Sequence, residues 1–95
     1  MSLLGRFRRQ KEDPEIARRV LLMKRGRIGE ATILGMDLDG DSRTILSYCY
    51  TIGGMDYETV QYLDEEQLRR KDDYLPGSRA PLRYDPRRPA NSLVV

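Results

Sequence analysis

Histidine and tryptophan are absent from this 95-residue chain, and cysteine and phenylalanine occur once each. Without His, the one side chain that ordinarily titrates near neutral pH is missing, which excludes Ser-His-Asp and Cys-His catalysis and His-based zinc sites. The lone Cys49 can form neither an internal disulfide nor a multi-cysteine metal site, and such usage suits a reducing compartment. Long apolar runs are also missing. Nothing approaches the roughly 18–20 residues of a membrane-spanning helix, and Val20 to Met23 is too short for a signal-peptide core. These absences lead to the expectation of a soluble, cytoplasmic protein that needs no cofactor and is not an enzyme.

What is present is an ordinary globular proportion of apolar residues, 45 of 95 with glycine included, enough for one small domain. A chain of this size buries only roughly 60–65% of its unfolded surface, so the core must be small. The net charge of +2 conceals a segmented distribution. Residues 1–27 carry nine basic side chains against three acids, and residues 28–95 carry eight against twelve. Within the latter, 37–73 holds ten acids and four bases, whereas 74–95 holds four Arg and one Asp. The chain therefore runs from a basic arm through an acidic middle to a basic end.

Residues 1–12 mix Leu3, Leu4 and Phe7 with Arg6, Arg8, Arg9 and Lys11, and read as a flexible basic arm. The single domain is expected to span 13–95, with a helix over 13–25 and a β module over 27–95. Asp13-Pro14-Glu15 starts the helix: Asp caps, Pro suits the first helical position, and Glu meets the positive end of the dipole. Gly26 stops it. Ile16, Val20 and Met23 fall at i, i+4 and i+7, a stripe expected to cover an open end or face of the sheet, with Arg18, Arg19 and Lys24 off it.

From Ile28 to Met36 the composition turns to strand, and the cluster Asp37 to Ser42 breaks it. In the run Arg43 to Ile52, Leu46, Tyr48, Tyr50 and Ile52 alternate with Ser47, Cys49 and Thr51. Gly53-Gly54 then links two alternating runs, a hairpin signal because a type I′ turn needs positive φ at both central residues. A two-residue turn pairs Ile52 with Met55, Tyr50 with Tyr57 and Tyr48 with Thr59, which makes the tyrosines the aromatic centre of a half-buried sheet. Asp64-Glu-Glu-Gln67 has capping-box spacing, and Glu65/Arg69 and Glu66/Arg70 are i,i+4 pairs, so a short surface helix or helical turn is expected near 64–71. Pro76-Gly77 is a turn. Ala80, Leu82 and Tyr84 form a strand in which Pro81 favours an edge or bulge. Asp85-Pro-Arg-Arg-Pro89 reads as a rigid bend before a last short strand over Ser92 to Val95.

Three groups of residues carry a resemblance. Tyr48-x-Tyr50-x-Ile52-x-Gly54-x-x-Tyr57, Tyr74-x-x-Gly77 and Leu82-x-Tyr84-Asp85-Pro86-x-x-Pro89-x-x-Ser92 together resemble the bacterial family named domain of unknown function 3592, over about residues 26–95. The resemblance implies a small all-β module, often tethered by membrane helices, with no established activity. This chain departs from that layout: it has no membrane helix and begins instead with a basic arm and an amphipathic helix.

Individual candidates for chemistry are weak. Asp37-x-Asp39-x-Asp41 begins like a calcium loop, but Gly40 falls at the fourth position where the sharp-turn Gly belongs at the sixth, and Tyr48 occupies the place of the bidentate Glu. The segment reads as an acidic turn. Cys49 has no cation among its strand neighbours and reads as a packed thiol, with Glu58 opposite. Asp64, Glu65, Glu66, Asp72 and Asp73 read as solvated charge, and Asp85 as a residue that bonds its own backbone to set a bend.

The expected architecture is mainly β: a strongly bent antiparallel sheet of about five strands closing towards a small SH3- or OB-like barrel, with an N-terminal helix. Tyr48, Tyr50, Ile52, Tyr57, Leu82 and Tyr84 are its expected core. The expected function is a non-enzymatic interaction module that binds a protein partner or itself, through sheet edges or the Arg-rich C-terminal bend. One alternative is nucleic-acid binding by Arg6, Arg8 and Arg9 with Arg79, Arg83, Arg87 and Arg88. Another is peripheral attachment of residues 3–11 to an anionic membrane.

Overall fold

Helix α1 (Pro14–Arg25) begins as its first residues dictate: the Asp13 carboxylate accepts from the amides of Glu15 and Ile16 at 3.0 and 3.2 Å. The computed structural model describes residues 13–95, and the basic arm with Arg6, Arg8 and Arg9 lies outside the described residues. Gly26 ends α1 for want of space, not for a left-handed backbone, since its φ is −70°. A Cβ there would lie 2.5 Å from the Leu22 carbonyl oxygen and 3.3 Å from Arg83 Cβ.

Five strands follow: β1 (Arg27–Leu38), β2 (Thr44–Ile52), β3 (Met55–Tyr62), β4 (Arg79–Asp85) and β5 (Arg88–Val94), all antiparallel, in the order β3-β2-β1-β4-β5. Strand β1 serves both sides of the sheet. Its first half, Arg27 to Thr32, pairs with β4, and its second half, Thr32 to Leu38, pairs with β2. Between Ile33 and Gly35 one extra residue, Leu34, stands against consecutive β2 partners Tyr48 and Ser47. Such a bulge bends and further twists its strand. The β2–β3 and β4–β5 hairpins therefore curl towards each other, and the sheet becomes nearly closed.

The β2–β3 hairpin has the register its two-glycine turn requires, with Ile52 opposite Met55, Tyr50 opposite Tyr57 and Tyr48 opposite Thr59. Gly53 and Gly54 both have positive φ, 60° and 82°. Tyr48, Tyr50 and Tyr57 stack in sequence, with ring centroids 5.9 and 5.2 Å apart. Tyr48, Tyr50 and Leu82 are buried with Ile33, Leu46 and Val94, while Ile52, Tyr57 and Tyr84 are partly buried against that cluster.

Two local expectations are corrected. Pro81 lies in β4, an interior strand and not an edge. It is tolerated because its carbonyl, and with it the nitrogen that lacks a hydrogen, faces the end of β5, where the Val95 amide donates to Pro81 O at 3.1 Å. The bend after β4 is also shorter than the proline spacing suggests, since Arg88 and Pro89 already belong to β5. Its cause is the expected one: the Asp85 carboxylate accepts from the Arg87 amide at 2.9 Å.

Helix α2 (Glu65–Arg69) carries the full capping box of Asp64 and Gln67 and leads into a 3-10 turn (Lys71–Tyr74). It is less of a surface element than its charges suggest. Gln67 is buried, and its Nε2 donates to Val94 O at 2.8 Å.

Candidate interaction surface

The feature that organises the surface is the way α1 sits on the barrel. Arg18 Nη1 donates to Asn91 Oδ1 at 3.0 Å and to Ser92 O at 2.8 Å, both on β5. Its Nε and Nη2 grip the two oxygens of Glu15 at 2.9 Å each. Arg19 also bonds Glu15, at 2.7 Å, and reaches the carbonyl of Tyr62 at 2.7 Å. Leu22, 3% exposed, is the buried apolar residue between these polar anchors, and Arg83 Nη1 donates to Gly26 O at 3.3 Å. The Arg18 hydrogen bond is the main reason the Glu15 carboxyl is held down at about 2, with Arg19 assisting against the opposing effect of burial.

This docking corrects the expectation for the helical stripe. Ile16, Val20 and Met23 do not cover the barrel; they are 61, 47 and 46% exposed. At about 100° per residue, Arg18 and Leu22 lie roughly 100–160° round the helix from Ile16, Val20 and Met23. Once Arg18 is tied to β5, that stripe is left largely exposed. The periodicity located an apolar face, but the guanidinium bonds selected a different face for docking.

The outward stripe forms one wall of a trough whose other wall is the end of β3 and α2. A cavity of about 380 Å³ lies between Val20 and Met23 on one side and Gln67 on the other, with Leu93, Val94 and Val95 beneath. It runs into a hollow beside Ile16 and Val20 that is bounded by Tyr62, Leu63 and Arg43. The Arg43 guanidinium lies over the Tyr62 ring, 3.7 Å from its centroid. Its floor and walls are apolar, with Arg19, Lys24, Asp64, Glu66 and Arg70 at the rim of the cavity.

The C-terminal arginines are not gathered into one patch. Arg79 is paired with Glu30 at 3.1 Å, Arg83 is bound to the end of α1, and Arg87 and Arg88 stand exposed at the β4–β5 turn. The acidic cluster after β1 is used in folding: Asp39 Oδ1 accepts from the amides of Asp41 and Arg43 at 2.8 and 2.9 Å, and these bonds hold its carboxyl below the usual range. Cys49 is half-buried on the outer face, with Glu58 directly opposite. Among the described residues no helix is long and apolar enough to cross a membrane.

Sequence reasoning missed the docking roles of Arg18 and Leu22 and the buried bonds that the Gln61 and Gln67 amides make to Val94. The signal for Gln61 was available, since it continues the inward alternation of Tyr57 and Thr59 and stands opposite Leu46. A polar side chain at such a position needs a polar partner in the core. Comparison with known protein families, curated proteins and solved structures finds no match to this chain.

Proposed function

We propose that this chain is a non-enzymatic interaction module that docks a protein through the outward face of α1 and the adjoining trough. The observation that carries this reading is the inverted seating of α1, with Arg18 and Leu22 turned to the barrel and Ile16, Val20 and Met23 left exposed. A contiguous apolar face on a small domain costs solubility and is maintained where something covers it. The barrel supplies a rigid base for such a face, because three elements fix α1: β5, the end of β3 and, at the Gly26 cap, the later part of β4. On its tyrosine hairpin and its Tyr84-Asp85-Pro86 segment, we take the barrel itself as a module of the domain of unknown function 3592 kind.

A photoreactive residue placed at Val20 in the full chain tests the reading, with the same residue at exposed Val60 on β3 as control. Protein adducts from position 20 that position 60 does not give are expected. Equal or absent adducts at both positions would overturn it.

A further inference from the structure

We infer that the occupant of this surface is a second copy of the chain, packed α1 against α1 in antiparallel fashion about a two-fold axis near Val20. The inference rests on the docking reading above and names its partner. Reversal of the stripe maps it onto itself: Ile16 of one copy meets Met23 of the other, and Val20 lies near the axis of both. A two-fold contact of this kind closes on itself and yields a dimer, not a filament.

Charge selects the antiparallel direction. The hollow beside Ile16 is lined by three acids, Asp13, Glu15 and Asp64, and two bases, Arg19 and Arg43. The cavity beside Met23 shares Arg19 and Asp64 with it, so the ends differ through Asp13 and Glu15 against Arg43 on one side and Lys24 and Arg70 against Glu66 on the other. An antiparallel pair sets each acid-rich hollow against the other copy's base-rich end, twice, whereas a parallel pair sets like against like. The helix dipoles favour the same direction. Two helices of this length cover less than the roughly 1,200 Å² of a stable interface, so association is expected to depend on concentration.

Sedimentation equilibrium of the purified full chain over a wide concentration range is the first measurement. The mass should rise towards twice that of the monomer. Val20→Glu, at an exposed position, should hold the chain monomeric with unchanged circular dichroism and, at concentrations where the parent is also monomeric, unchanged melting. Direction is read by cysteine cross-linking in a Cys49→Ser background: mixed Ile16→Cys and Met23→Cys chains should form the mixed disulfide in preference to either homodimer.

A chain that stays monomeric at every concentration overturns the proposal, as does a dimer that Val20→Glu leaves intact or a preference for like-with-like disulfides. The same holds for a dimer lost on Phe7→Ser but not on Val20→Glu, and for a monomer that pellets with anionic vesicles through Val20. A monomer whose position 20 still captures a different protein removes self-association and leaves the docking reading standing. A monomer that captures nothing removes both.

Discussion

The side-chain amide of Gln61 on β3 binds the backbone of Val94 on β5 twice: Val94 N donates to Gln61 Oε1 at 2.8 Å, and Gln61 Nε2 donates to Val94 O at 3.0 Å. A strand ladder would make the same pair of bonds with a neighbouring backbone. Strands β3 and β5 are the two ends of the sheet order, and one side chain supplies the ladder pair across their seam. Three further bonds reach β5 from within: Gln67 to Val94 O at 2.8 Å, the Tyr48 hydroxyl to Ser92 Oγ at 2.8 Å, and the Tyr50 hydroxyl donating to Pro89 O at 2.6 Å. The seam is thus held by polar side chains, and no buried side-chain nitrogen or oxygen among the described residues lacks a partner.

Gln61→Leu keeps the shape of the side chain but leaves the Val94 amide unpaired in a buried place. The expected loss is about 2–3 kcal/mol of unfolding free energy, the lost bonds plus the cost of an orphaned donor. Urea titration followed by circular dichroism measures it, and a loss below about 0.5 kcal/mol would show that the seam does not depend on this amide.

Leu22 and Val20 should respond to very different extents although they are neighbours on one helix. Leu22→Ala removes the buried anchor of α1 and is expected to cost about 2–3 kcal/mol, whereas Val20→Ala in the isolated chain should stay within about 0.5 kcal/mol. The same titration compares the two at low protein concentration, where any association is absent.

The Glu15 carboxyl carries a pH dependence. Its value falls from 4.5 to about 2 on folding, so its contribution is complete above about 4.5 and is lost as pH drops towards 2. Carboxyl NMR titration should place the Glu15 midpoint near 2, and Glu15→Gln should remove this part of the acid lability. A midpoint near 4.5 would mean that the Arg18 clasp is not formed in solution.

Tyr48 gives the alkaline counterpart. Burial pushes its phenol up from 10 to about 12, with the Tyr50 hydroxyl adding in the same direction and the Ser92 bond opposing. The neutral form is favoured in the fold, so this contribution is intact below pH 10 and lost as pH rises from 10 towards 12. Ultraviolet titration should show a tyrosine step near 12, and Tyr48→Phe should delete that step.

Gly54, with φ of 82°, holds a backbone conformation that a β-branched residue resists. Gly54→Val should cost about 1–2 kcal/mol, while Ser42, already at φ 63° with a side chain, should accept Gly with little loss or a gain. Parallel thermal melts of the two variants check this contrast.

The sequence by itself determined the parts of this protein that local chemistry controls. Asp13-Pro14 capping, the Gly53-Gly54 turn and the tyrosine register it enforces, the Asp64/Gln67 capping box and the Asp85 bend each depend on residues a few positions apart, and each was legible. The mainly β class and the bent five-stranded sheet followed from the spacing of those elements. Tertiary structure alone decided how the sheet closes and which way α1 faces. Helical periodicity reports that Ile16, Val20 and Met23 share a side, but not that Arg18 will find Asn91 and Ser92, more than seventy residues away, and turn that side outwards. Those bonds join partners that only the bulge at Leu34 and the curl of two hairpins bring together, so the candidate surface exists in the fold and has no signature in any single segment.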